Sequence, residues 1–219
     1  MGVIIINFKA YAEGFGKKGY EIAKAAEEVA KKVDDYIAIA PTFLDLAEFA
    51  KLEIDVYAQH VDAVEFGSHT GRITAEMIKE KGAKGSLINH SERRLKLADI
   101  EFLVSKFRKL DLISVVCTNN VATTKAAAAL NPDYVAVEPP ELIGTGIPVS
   151  KAEPEVVEGA VKAAKEVNPN VKVLCGAGIT NHEDYVAALD LGAEGVLLAS
   201  GIVKAKDPKK ALEELVGLR

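Results

Sequence analysis

The sequence predicts an α/β protein, a closed (βα)8 barrel of eight parallel strands, each followed by a helix, filling residues 1–219 as one domain. Three observations predict it. Short apolar runs recur eight times, with helix-forming segments between them. Most of these runs are apolar on successive residues, as a strand buried on both faces of a parallel sheet must be. Their C-terminal ends turn polar, where the loops of such a barrel build an active site. A doubly wound open sheet is the rival, disfavoured because no Gly-x-Gly-x-x-Gly follows the first run.

Taken in order, the first run is Val3-Ile4-Ile5-Ile6-Asn7, followed by a charged helical pattern from Lys17 to Lys32. The second and third are Tyr36-Ile37-Ala38-Ile39-Ala40 and Asp55-Val56-Tyr57-Ala58-Gln59. Residues 59–71 after the third read as a long loop. The fourth and fifth runs are Gly85-Ser86-Leu87-Ile88-Asn89 and Leu112-Ile113-Ser114-Val115-Val116. The sixth, Tyr134-Val135-Ala136-Val137-Glu138, ends on a carboxylate. Val171-Lys172-Val173-Leu174-Cys175 and Gly195-Val196-Leu197-Leu198-Ala199 complete the eight. No linker or low-complexity stretch divides them, and fitting eight units into 219 residues calls for short helices and tight loops.

Composition narrows the function. The net charge of −5 gives no general affinity for nucleic acid or an acidic membrane, so an anionic ligand would need a local field. No apolar run approaches the ~20 residues of a membrane span, and the run from Met1 to Ile6 meets Asn7 and Lys9 too early for a signal-peptide core. A soluble, cytoplasmic protein is expected. Cys117 and Cys175 close apolar runs and read as buried thiols. His60, His69, His90 and His182 lack paired metal-ligand spacing, so no metal is expected.

Four segments carry chemistry. Asn7-Phe8-Lys9 sets two polar side chains at alternate positions, so that both can point to the top of the barrel. Lys9 suits a phosphate or an enolate, or is a solvated strand-end lysine. In Asn89-His90-Ser91-Glu92-Arg93-Arg94, a histidine follows the fourth strand, with an acid–base cluster at the start of the next helix. Glu92 and Arg93 either hold a functional ring or form a helix-end salt bridge. Glu138 precedes a loop with prolines at 139 and 140 and glycines at 144 and 146, the composition of a lid that moves as a body or of a stiff connection. A carboxylate beneath a closing lid can be desolvated into a general base. Finally, Cys175-Gly176-Ala177-Gly178-Ile179 and Leu198-Ala199-Ser200-Gly201 offer unshielded backbone amides on neighbouring final strands, suited to a phosphate.

Asn-x-Lys after the first strand, His-Ser-Glu-Arg-Arg after the fourth, and Glu-Pro followed by Ile-Gly-Thr-Gly after the sixth resemble, in that order, the triosephosphate isomerase family. The similarity spans essentially the whole chain, and the short length and Pro-Pro-Glu-Leu lid resemble its compact archaeal branch. The resemblance implies a TIM barrel acting on a small phosphorylated triose without cofactor. It implies Glu138 as base, His90 as electrophile, Lys9 as electrostatic anchor and Asn7 as a substrate-positioning residue. It assigns phosphate binding to Asn7, Lys9, Ile143, Gly144, Gly178, Ala199 and Ser200. It also implies a homo-oligomer, a tetramer in preference to a dimer, with the loop after the third strand inserted into a neighbouring subunit. The chain departs from the commoner pattern in four ways, the first being that the lid lacks the usual tryptophan. Gly178 replaces a serine, Ala199-Ser200 replaces a Gly-Gly pair, and Cys117-Thr118-Asn119-Asn120 lacks an acidic residue, leaving open what supports Lys9. The alternative function is a phosphate-binding barrel lyase or aldolase with Lys9 as a Schiff-base lysine.

Overall fold

Alternate residues of the first strand, β1 (Val3–Asn7), enter two different cores. Val3 and Ile5 point into the barrel, where they meet Ala38, Tyr57, Leu87, Val115, Cys117, Ala136, Leu174 and Leu197. Ile4 and Ile6 point outward and pack under the helical shell with Ile39, Val116, Val135, Val173 and Val196. Two-sided burial is the physical reason the strands read as continuous apolar runs. In the computed structural model, which describes residues 2–139 and 148–218, the remaining strands are β2 (Tyr36–Ala40), β3 (Asp55–Ala58), β4 (Gly85–Ile88), β5 (Ile113–Thr118), β6 (Tyr134–Val137), β7 (Lys172–Gly176) and β8 (Gly195–Leu198). All pair in parallel with their sequence neighbours, and β8 closes on β1 with Val3 opposite both Gly195 and Tyr36.

Among the described residues, helices follow each strand: α1 (Gly16–Ala30), α2 (Phe43–Phe49), α3 (Ala75–Glu80), α4 (Leu97–Lys109), α5 (Val121–Ala129), α6 (Val149–Ala152), α7 (Pro154–Val167), α8 (His182–Asp190), α9 (Ser200–Val203) and α10 (Pro208–Leu215). Side-chain caps at Thr74, Asn120, Asn181 and Asp207 satisfy first-turn amides of α3, α5, α8 and α10.

Four of the expected strands lose their last residue. Gln59, Asn89, Glu138 and Ala199 leave the ladder, and Asn89 turns to φ 62°. The end of β5 extends to Thr118, because its carbonyl accepts the Glu138 amide at 2.8 Å. The acid–base cluster at 91–94 is not at a helix start, as the sequence suggested: α4 opens at Leu97, and the cluster lies in the preceding loop. Cys117 and Cys175 are free and buried, the first inside the barrel and the second in the shell.

Candidate active site

The first functional turn is built by Asn7 at the end of β1. Its Oδ1 accepts the Lys9 amide at 3.0 Å, and the Gln59 Nε2 donates to the Lys9 carbonyl at 2.9 Å and to Ala40 O at 3.0 Å. Clamped from both sides, Lys9 holds φ 50°, a left-handed conformation that costs a branched-free lysine roughly 1 kcal/mol or more. Asn7 and Lys9 both line the cleft at the C-terminal rim. The expected reason for their common direction is replaced, since strand alternation stops at Asn7 and the left-handed turn redirects Lys9. Its Nζ lies 2.9 Å from Glu92 Oε1, which answers what supports it.

The second turn carries His90, which is buried. Asn89 makes the turn possible, its side chain donating to Cys117 O at 2.9 Å and accepting from Leu95 N at 2.8 Å. The Glu92 amide donates to His90 Nδ1 at 3.2 Å. A nitrogen that accepts from an N–H bears no proton, so in the neutral ring the proton belongs to Nε2. That Nε2 faces Glu138 Oε2 at 3.7 Å. Of the two sequence readings, Glu92 does bear on the ring, through its amide and with its Oε2 3.5 Å from Nδ1, while its Oε1 pairs with Lys9; Arg93 does not, and its Nη2 reaches across to Asp62 Oδ1 at 3.4 Å. Asp62 is buried, which alone would raise its carboxyl, but the Ile73 amide, Arg72 and His60 outweigh burial and hold it down at about 2.

Glu138 follows β6 and is buried. Its Oε2 has no hydrogen-bond partner among the described residues, an arrangement that costs free energy unless a ligand uses it. Gly176 at the end of β7 makes its space: a Cβ there would lie 2.3 Å from Glu138 Cγ. The Cys117 thiol is pushed up by burial first, then by the neighbouring Glu138 carboxylate; Cys175 is pushed up to about 12 by burial, then by the same charge. Both thiols are therefore inert neighbours of the carboxylate.

The opposite wall is Ala177, Gly178, Ile179 and Thr180 after β7, with Ala199 and Ser200 after β8. Ala177 and Gly178 are successive left-handed residues, φ 73° and 74°. In α9 the Ile202 and Val203 amides donate to Ala199 O at 3.2 and 2.9 Å, which leaves the Ser200 and Gly201 amides without an acceptor among the described residues. The structure thus brings together Asn7, Lys9, His90, Glu138, Gly178, Ala199 and Ser200 in one cleft, while Ile143 and Gly144 lie outside the described residues. Sequence reading missed Gln59 as the clamp on Lys9, Gly176 as the space for Glu138, and Tyr11 and Thr180 as lining. Gln59 carried a signal, a polar residue at a strand end; the others carried none.

A buried carboxylate and an imidazole with a fixed tautomer, facing a wall of backbone amides across a single cleft, define a barrel enzyme that moves protons on a small anion. The family model described as triosephosphate isomerase matches residues 2–216. A triosephosphate isomerase of Archaeoglobus fulgidus is 77% identical over 219 residues, covering all of this chain and 98% of the relative. One from Methanocaldococcus jannaschii is 61% identical over 215 residues, and one from Methanothermus fervidus 57%, each covering 98% of this chain and 98% and 97% of the relative. The chain belongs to the triosephosphate isomerase family.

Proposed function

We propose that the chain interconverts dihydroxyacetone phosphate and D-glyceraldehyde 3-phosphate through an enediolate, with Glu138 as the base. The observation that carries this reading is the buried Glu138 Oε2, without a partner among the described residues and 3.7 Å from His90 Nε2. Glu138 takes the proton from the carbon beside the carbonyl, and the released electron pair passes to the carbonyl oxygen. The His90 Nε2–H donates in turn to the two oxygens, the hydroxyl proton passes to the former carbonyl oxygen as the new C=O forms, and Glu138 returns its proton to the former carbonyl carbon. A fixed donor aimed at developing charge helps more in a buried site than in water. Lys9 stabilises the enediolate electrostatically, Asn7 holds the turn that presents Lys9, and the amides around Gly178, Ala199 and Ser200, with Ile143 and Gly144, bind the phosphate. No cofactor enters this scheme.

The Schiff-base alternative needs an uncharged lysine. Its candidate, Lys9, has its Nζ engaged by Glu92 Oε1 at 2.9 Å. Turnover of D-glyceraldehyde 3-phosphate, with borohydride added to a parallel sample, tests both readings: isomerase activity without a borohydride-trapped adduct is expected. Absence of turnover overturns the proposal.

We further propose one domain over 1–219 that works as a closed homo-oligomer in the cytoplasm, a tetramer in preference to a dimer. Residues 59–74 form a long loop bearing Phe66, 63% exposed, and Leu44 on α2 is 82% exposed; apolar groups so placed favour burial against another copy. Among the described residues no helix is long and apolar enough to cross a membrane. Sedimentation should give a multiple of 23.3 kDa; a fully active monomer contradicts the assembly.

A further inference from the structure

The charges that line the cleft do not by themselves welcome a dianion. Lys9 is compensated by Glu92 at 2.9 Å, and Glu138 adds a carboxylate, so these three side chains sum to −1. Gly178 contributes no hydroxyl. A further source of positive potential lies near the cleft, though not in its lining. Lys204 follows α9, its amide donating to Ser200 O at 3.1 Å. Its Nζ stands 4.1 Å over the centroid of the Tyr11 ring, and Tyr11 lines the cleft beside Ser200. No carboxylate pairs with Lys204 among the described residues.

The manner of holding matters. A carboxylate partner positions a lysine and cancels its charge; an aromatic face positions it through the ring quadrupole and leaves the full charge to act on a third group. Two observations of different kind therefore converge, a cleft short of positive side-chain charge and an ammonium, without a carboxylate partner among the described residues, held against the lining residue Tyr11.

We propose that Lys204, positioned by the Tyr11 ring, is a second cation that recognises the substrate's phosphate group. It sets the preference for phosphorylated over unphosphorylated trioses and offsets the hydroxyl absent at Gly178. This rests on the proposed triose phosphate activity.

The test is steady-state kinetics and inhibition by inorganic phosphate, measured on the parent and variants across ionic strength. Lys204→Gln should raise KM and the phosphate inhibition constant together, roughly five- to tenfold at low salt, with kcat within about twofold. The gap should close as salt shortens the screening length from ~30 Å at 0.01 M to below 8 Å. Lys204→Arg should restore the parent's values. Tyr11→Phe, which keeps the ring, should stay near the parent, while Tyr11→Leu should move toward Lys204→Gln. Unchanged phosphate inhibition in Lys204→Gln overturns the proposal, and so does a loss that ignores salt. Should Lys204→Gln fail to fold, the Tyr11→Phe and Tyr11→Leu pair decides by the same readout. Failure of the parent to turn over triose phosphate instead strikes the underlying activity, so the two failures are distinguishable.

Discussion

The two ends of the barrel are built from the same eight strands under opposite rules. At the N-terminal end strands touch and several polar groups are paired, although the buried Tyr185 hydroxyl beside Gly2 has no partner among the described residues. Tyr36 donates to Asp55 Oδ2 at 2.7 Å and lies 3.1 Å from the Tyr57 hydroxyl, and Asp133 accepts from both the amide and hydroxyl of Ser114 at 2.8 Å. Burial, then the Tyr57 and Asp55 neighbours, push the Tyr36 phenol up, so it stays a donor. Gly195 lets β8 meet β1 so closely that a Cβ would lie 2.1 Å from Val3 O. Left-handed non-glycine residues stand at both ends, Asp111 and Asn131 before β5 and β6 and Lys9, Asn89 and Ala177 at the C-terminal rim, but it is the rim that holds Glu138, whose buried Oε2 has no partner among the described residues. The difference teaches where stability is held and where it is given up for chemistry.

The sharpest way to break that comparison is to remove the rim's charge without touching its shape. Glu138→Gln should lower kcat on the order of 10³- to 10⁴-fold, leave Tm near the parent's and preserve inhibition by phosphate. Turnover within tenfold of the parent would take Glu138 out of the chemistry. Next, the same substitution at the two ends should fail in different currencies. Gly195→Ala forces a methyl into the Val3 carbonyl and should cost about 3 kcal/mol or more by denaturant unfolding. Gly176→Ala presses on the Glu138 side chain, so it should lower kcat about 10²-fold with a smaller stability loss. If the two variants lose stability and activity in the same proportion, the ends are not specialised as described.

Smaller effects refine the picture. Tyr36→Phe leaves Asp55 and Tyr57 without the shared hydroxyl and should cost about 1–2 kcal/mol of stability, with kcat unchanged. On the shell, Glu27 of α1 is held down at about 2 by the Lys24 ammonium and the Glu53 amide, against an ordinary 4.5. A carboxyl lowered in the folded state stabilises above its unfolded pKa and loses that contribution as pH falls through the folded one. Stability should therefore drop between about pH 4.5 and 2, and Glu27→Gln should flatten that limb in acid-unfolding curves.

Much of this architecture was legible in the sequence, for a reason particular to the strands: residues such as Ile4-Ile5-Ile6 and Val115-Val116 serve two cores at once and so read as unbroken apolar runs. Glu138, His90 and Lys9 were legible because each stands at or just beyond the end of such a run. Their supports were not. Lys9 and Glu92 are 83 residues apart in the chain, and Arg93 reaches Asp62 from another loop; spacing along a sequence holds no record of such pairs. The left-handed turn at Lys9 was hidden as well, since it is imposed by Asn7 and Gln59 acting on a residue with no local preference for it. Gly176 looked like part of a phosphate turn, whereas its lack of a side chain makes room for Glu138.

If Glu138 is the proposed base, a proton and not a hydride passes between adjacent carbons. Isomerisation of D-glyceraldehyde 3-phosphate in deuterium oxide, stopped early and read by nuclear magnetic resonance at C1 of dihydroxyacetone phosphate, tests it most directly. A proton parked on the Glu138 carboxyl exchanges with solvent, so a measurable share of product should carry one deuterium at that carbon, and Glu138→Gln should abolish the signal along with turnover. Product formed at full rate with no solvent hydrogen at that carbon would contradict the account.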